Sequence, residues 1–296
     1  MASAHCNGIQ IEYETFGERA SPALLLIAGN GAQLIVWERA FCERLVRAGF
    51  FVIRFDNRDT GLSTKFEAAG VPDIMATVTA LMSGKPVQPP YTLEDMADDA
   101  AGLLTALGIA QAHVCGMSMG GMIAQLLACR HPEQVLSLTS LMSTTSNPAL
   151  PQARPEVIAA MLAPVPMERE AGIEHMLKVW RTIWSPGFPF ETQRVRTFLE
   201  QSHDRCLYPQ GMARQNVAVI TNGDRSRRLA ALRLPALVIH GSADPLIPVA
   251  GGEDTARAIA GARLLIIPGM GHDMPTPASV RIADAIAGHA HSARHG

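Results

Sequence analysis

The period of apolar and polar positions switches repeatedly along the chain, and the switches mark alternating strands and helices. From Ile9 to Phe16 the pattern alternates, with Ile9, Ile11, Tyr13 and Thr15 on one side and Gln10, Glu12 and Glu14 on the other, which predicts a half-buried antiparallel edge strand. Ala23 to Ala28 is a continuous apolar run, as expected of a strand covered on both faces, and Phe50 to Phe55, Ala112 to Cys115, Val135 to Met142, Leu234 to Gly241 and Ala262 to Ile267 read the same way. Between them lie helical spacings: Trp37 to Ala48, stopped by Gly49; Thr92 to Leu107, capped by Thr92 and stopped by Gly108; an apolar helix that ends before Pro132; Gly251 to Ala260; and Pro277 to Ala287. Thr64 to Pro90, punctuated by proline and glycine, reads as a long loop.

The alternation lapses only once. Ser143 to Arg233 is proline-rich, with helical stretches at Glu156 to Leu162, Met167 to Ile183, Thr192 to His203 and Met212 to Thr221. Helices without strands between two sheet strands predict an insertion over the sheet. The expectation is an α/β protein, a mostly parallel sheet flanked by helices: a core of residues 1–142 and 234–296 and a helical cap of residues 143–233. Met161, Met176, Trp180 and Trp184 are candidates for a pocket roof beneath that cap, or for its own core.

Composition removes several classes. A net charge of −2 over 296 residues gives no basic field, so neither nucleic acid nor an anionic membrane surface is an expected partner. No run approaches the length of a membrane span, and the first residues lack the basic and apolar regions of a secretory signal. The five cysteines are odd in number and widely spaced, with no CxxC pair, which fits reduced thiols in the cytoplasm better than a disulfide framework or a zinc site. The terminal HAHSARHG reads as an exposed disordered end rather than a metal tract.

The chemistry concentrates at Gly116-Met117-Ser118-Met119-Gly120, between a predicted strand and a predicted helix. G-x-S-x-G in that context holds a serine hydroxyl out on a sharp turn, where a helix N-terminus can favour a developing oxyanion. A second glycine turn, Gly29-Asn30-Gly31, invites a dinucleotide reading, but Leu34 stands where the third glycine belongs, and no cofactor is expected. In a parallel sheet, chemistry gathers beyond the carboxyl ends of the strands, and Asn30, Asp56, Ser118, Asp244 and His272 all fall there. A serine needs a base, and the base needs an orienting acceptor. His272 is the one histidine on a glycine-flanked loop at that edge, whereas His113 and His240 lie in strands and His131 follows a helix. Asp244 follows the preceding strand; Asp56, Arg58 and Asp59 read as a charged turn that ties loops together. Ser118, Asp244 and His272 then occur in the order nucleophile, acid, histidine.

With these motifs in hand, the chain resembles the α/β-hydrolase family over nearly its whole length. ALLLIAGNGA, VIRFDNRDTGLST, GMSMGG, LVIHGSADPLIP and IPGMGHDMP look like its esterase branch, which includes aclacinomycin methylesterase and related small carboxylesterases. The resemblance implies Ser118 as nucleophile, His272 as base, Asp244 as its orienting acid and an oxyanion hole from the backbone NH groups of Asn30 and Met119. It implies no cofactor and no metal. Where relatives often carry His-Gly ahead of the first oxyanion residue, this chain has Ala28-Gly29, which leaves the backbone donors in place. The expected function is a serine carboxylic-ester hydrolase acting on a small to medium, mainly apolar ester. A lactonase or a perhydrolase-like activity would use the same triad, and a pocket-type ligand-binding module is the non-enzymatic alternative.

Overall fold

The computed structural model describes residues 2–293. The chain opens with β1 (Ala2–Cys6), β2 (Ile9–Phe16) and β3 (Ala23–Ile27), then alternates: α1 (Arg39–Arg47), β4 (Phe51–Phe55), α2 (Ile74–Met82), α3 (Leu93–Ala106), β5 (Ala112–Met117), α4 (Met119–Arg130) and β6 (Val135–Leu141). Five helices follow without a strand: α5 (Pro155–Leu162), α6 (Arg169–Ile183), α7 (Thr192–Arg205), α8 (Pro209–Asn222) and α9 (Ser226–Leu229). β7 (Ala236–Gly241), α10 (Val249–Ala258), β8 (Arg263–Ile267) and α11 (Thr276–Ser292) complete the order. The strands form an eight-stranded sheet in the order β1-β2-β4-β3-β5-β6-β7-β8, in which β1–β2 and β2–β4 pair antiparallel and all other neighbours pair parallel.

The apolar run of β3 shows why the central strands lack alternation. Ala23, Leu25 and Ile27 face one core with α3 and α4, while Leu24 and Leu26 face the other with α1 and α11. α4 is buried from Met119 to Ala128, which its nearly all-apolar sequence requires. At the start of α3, Thr92 Oγ1 accepts from Asp95 N at 3.1 Å and Asp95 Oδ2 accepts from Thr92 N at 2.8 Å, the reciprocal cap its sequence predicts.

Three expectations need correction. β1 adds an edge strand to β2 that ASAHC, short of large apolar residues, did not announce. The stretch 64–90 contains α2, whose N-cap Asp73 accepts from Ala76 N at 2.9 Å; the flanking Pro72 and Pro86 concealed it. Residues 289–293 of the HAHSARHG stretch are not a free end: α11 runs through Ser292, His289 is buried, and His291 Nε2 donates to Ala48 O at 2.9 Å. Residues 294–296 of that tract lie outside the described residues.

The five consecutive helices have a small core of their own, where Ile173 and Leu177 of α6 meet Val195 and Leu199 of α7. Buried ion pairs join them to the turn after β4: Arg205 to Asp56 at 2.7 Å and Arg214 to Asp59 at 2.7 Å.

Candidate active site

Ser118 occupies the step between β5 and α4 at φ 54°, ψ −123°, a region that residues with a Cβ rarely adopt. The surroundings hold it there. Ser118 N donates to Leu141 O at 2.9 Å, and its carbonyl accepts from Gly121 N at 2.9 Å and Ser143 Oγ at 2.8 Å. A Cβ on Gly116 would overlap the Gly120 carbonyl, and one on Gly120 would overlap the Ile27 carbonyl of β3, so the turn can be this tight only with glycine at both places.

His272 arrives on the loop after β8, fixed by His272 N to Ile183 O at 2.9 Å and Gly271 N to Ser185 Oγ at 2.7 Å. Its Nε2 lies 3.0 Å from Ser118 Oγ and its Nδ1 lies 2.7 Å from Asp244 Oδ2. An ionised carboxylate only accepts, so Nδ1 carries the proton and Nε2 is left to accept from the serine hydroxyl. Asp244 is itself oriented, because Oδ1 accepts from Leu246 N at 2.9 Å and Ile247 N at 2.8 Å. Burial alone would raise its pKa; the proximity of His272 and hydrogen bonds from His240 and His272 outweigh burial and hold the carboxyl below its usual range. The sequence placed His240 in a strand and gave it no part here. It donates Nε2 to Ile247 O at 2.8 Å, and that nitrogen lies 3.4 Å from Asp244 Oδ2, so it supports the same carboxylate.

Asn30 and Met119 meet beside Ser118, with Asn30 Nδ2 4.0 Å from Met119 Sδ, and a Cβ on Gly29 would stand 3.3 Å from Ser118 Cβ. Met119 is the first residue of α4, where backbone NH groups have no intrahelical acceptor and the helix dipole is positive. The arrangement can therefore remove a proton from Ser118 Oγ at Nε2, next to a helix N-terminus.

Asp56, Arg58 and Asp59 stay outside this cluster. Asp56 accepts from Leu34 N at 2.7 Å and Leu62 N at 2.9 Å, Asp59 from Phe66 N at 2.7 Å, and Arg58 pairs with Asp99 at 2.7 Å. Asp273, next to His272, turns toward Ser185, and burial pushes its carboxyl up to about 7.

Ser118 and His272 open into a cavity of about 980 Å3 between the sheet and the five-helix segment. Its lining is mainly apolar and rich in methionine, including Met122, Met142 and Met212. Met161, Met176 and Trp180 also line it; Trp184 instead meets Phe190 edge to face, with ring centroids 4.8 Å apart. Among the described residues no three His, Cys, Asp or Glu side chains converge as metal ligands would, and no helix is long and apolar enough to cross a membrane.

Residues 22–275 match the family model described as the alpha/beta hydrolase fold. The chain is similar to rhodomycin D methylesterase DauP of Streptomyces sp. (strain C5), at 31% identity over 95% of this chain and 94% of that protein. It is also similar to 3-oxoadipate enol-lactonase 2 of Acinetobacter baylyi, at 28% identity over 88% of this chain and 85% of that one. Among solved structures, the enol-lactonase from Burkholderia xenovorans LB400 superposes with a TM-score of 0.72 at 23% identity, covering 100% of both chains, a likeness of fold.

Proposed function

The chain belongs to the α/β-hydrolase family, and on that premise we propose that it hydrolyses carboxylic esters through an acyl-enzyme formed on Ser118. The observation that carries this reading is the hydrogen-bonded line Ser118 Oγ, His272 Nε2, His272 Nδ1, Asp244 Oδ2 at the floor of a mainly apolar cavity. Ser118 Oγ attacks the ester carbonyl as its proton passes to His272 Nε2, and Asp244 stabilises the imidazolium. The carbonyl oxygen, now an oxyanion, takes hydrogen bonds from Asn30 N and Met119 N, the strongest single contribution expected in such sites. Collapse of the tetrahedral adduct breaks the bond to the alkoxy oxygen, which leaves with the proton from Nε2. Water then attacks the acyl-serine with His272 as base, and the acid departs. No cofactor or metal takes part.

In this reading residues 143–233 form the cap over the cavity, and the substrate is a mainly apolar ester whose acyl part fills it. A cavity near 980 Å3 is at the upper end of the ~300–1,000 Å3 typical of small-molecule sites, and a methyl ester of a bulky acid suits it best. The resemblance to a methylesterase supports that choice. A lactone is the second reading, supported by the enol-lactonase relative and requiring only that the leaving alcohol stay tethered to the acyl group. The five free cysteines fit a cytoplasmic setting.

A panel of p-nitrophenyl esters of graded acyl length, run beside methyl esters and lactones, tests the proposal. Ester turnover with bulky apolar acyl groups supports it. Failure to hydrolyse any ester, together with no labelling of Ser118 by a fluorophosphonate, overturns it in favour of a binding module.

A further inference from the structure

The turn that carries Asn30 is gripped by side chains from the helical segment rather than by the sheet. Ala32 N closes it onto Gly29 O at 3.2 Å, and Gly31 sits in the third position at φ 64°, where a positive φ calls for glycine. Just beyond it, Gln33 Nε2 donates to Ser202 O at 2.7 Å and Cys206 O at 2.8 Å, both at the end of α7. The contact on the turn itself comes from α8: Gly31 N donates to Gln215 Oε1 at 2.8 Å.

Gln215 is fully buried, and its amide has no freedom to turn. Nε2 donates to Arg58 O at 2.8 Å and to Thr60 Oγ1 at 2.8 Å, in the charged turn after β4. Rotating the amide by half a turn would set NH2 against the Gly31 NH and oxygen against the Arg58 carbonyl, so chemistry permits one orientation only. The neighbouring Arg214, paired with Asp59, anchors the helix against sliding. Both amide hydrogens of Gln215 are thus used on the turn after β4, and its oxygen on the Gly31 NH.

We propose that Gln215 is a positioning residue for the oxyanion hole: by holding the Asn30–Gly31 peptide it sets the direction of the Asn30 NH above Ser118. The inference rests on the hydrolase reading above. The Asn30–Gly31 and Gly29–Asn30 peptides share the Asn30 Cα, so releasing one lets the other swing. Gln215 lies outside the cavity lining and touches no reacting atom, so its loss should weaken the transition state and spare ground-state binding.

The test compares the wild type with Q215M and Q215N. Q215M removes the acceptor at nearly constant shape, and Q215N shortens the side chain so that it no longer reaches Gly31. With a p-nitrophenyl ester, Q215M and Q215N should lose about 10- to 100-fold in kcat with KM nearly unchanged, below the ~100- to 1,000-fold reported for deleting a donor outright. Ki for a trifluoromethyl ketone, whose adduct with Ser118 carries the oxyanion, should rise in step with the kcat loss. If Q215M does not fold, Q215N, which keeps an amide, carries the same test. A folded variant with wild-type kcat and Ki, or one whose loss lies in KM with kcat unchanged, overturns the proposal. A wild type that hydrolyses no ester defeats the hydrolase reading instead, so the two failures are distinguishable.

Discussion

Arg214 grips Asp59 with both ends of its guanidinium, Nε to Oδ2 at 2.7 Å and Nη2 to Oδ1 at 2.9 Å, and neither side chain reaches solvent. A paired geometry of this kind satisfies two buried charges at once, and removing either partner strands the other.

Arg214→Met should therefore destabilise the protein by about 3–5 kcal/mol, far more than the ~1 kcal/mol of an ordinary loop hydrogen bond. Urea unfolding of the purified variant measures it. A loss below about 1 kcal/mol would mean that solvent reaches the site and screens the pair.

Asp244→Asn keeps the shape of the acid but presents an NH2 group or a neutral oxygen to His272 Nδ1. The wrong imidazole tautomer is then favoured, and kcat should fall by around 10⁴, the size seen in the serine-protease precedent, with the fold intact. Activity within tenfold of wild type, a loss of only ~1.4 kcal/mol, would remove Asp244 from the role given to it.

Asp273 and Asp244 should pull stability in opposite directions as pH changes. Asp273 is raised to about 7 by burial, so the folded state holds its proton where the unfolded chain, near the ordinary carboxylate value of 3.8, has released it. Stability due to this group is complete below about pH 4 and is lost as pH rises to about 7, by up to ~4 kcal/mol at ~1.4 kcal/mol per pKa unit. Asp244 is depressed, so its contribution is present above about pH 4 and disappears as pH falls further. Melting temperatures of wild type and Asp273→Asn across pH 4 to 8 check the first claim. The variant should gain on the wild type steadily as pH rises, and parallel curves would contradict it.

Much of the fold was legible because its signals are local. Period and run length marked the strands from β2 to β8, the Thr92 cap marked α3, and G-x-S-x-G between a strand and a helix placed Ser118 at the turn where it stands. Asp244 and His272 were readable from their positions after strands. What escaped was tertiary. β1 pairs through its backbone and has little side-chain pattern, while α2 is apolar but leaves Met75 and Met82 exposed. Arg205, Arg214 and Gln215 act through partners distant in sequence, and His240 acts through the loop that leaves its own strand. One trace of the last two existed: the buried stripe of α8 runs Gly211, Arg214, Gln215, Ala218, so two polar residues occupy positions where an amphipathic helix would place apolar ones. Polar residues on such a stripe need partners, and here the partners are Asp59 and the Gly31 NH.

The central claim is that Ser118 and His272 act as one unit on an ester. Its most direct measurement is kcat for the preferred p-nitrophenyl ester in wild type, Ser118→Ala, His272→Ala and the double variant, each checked by melting temperature. Each single substitution should lower kcat by several orders of magnitude, on the order of 10⁴ to 10⁶, and the double variant should be little worse than either. Losses that add in the double variant, or a folded Ser118→Ala protein that still turns over the ester at the wild-type rate, would contradict it.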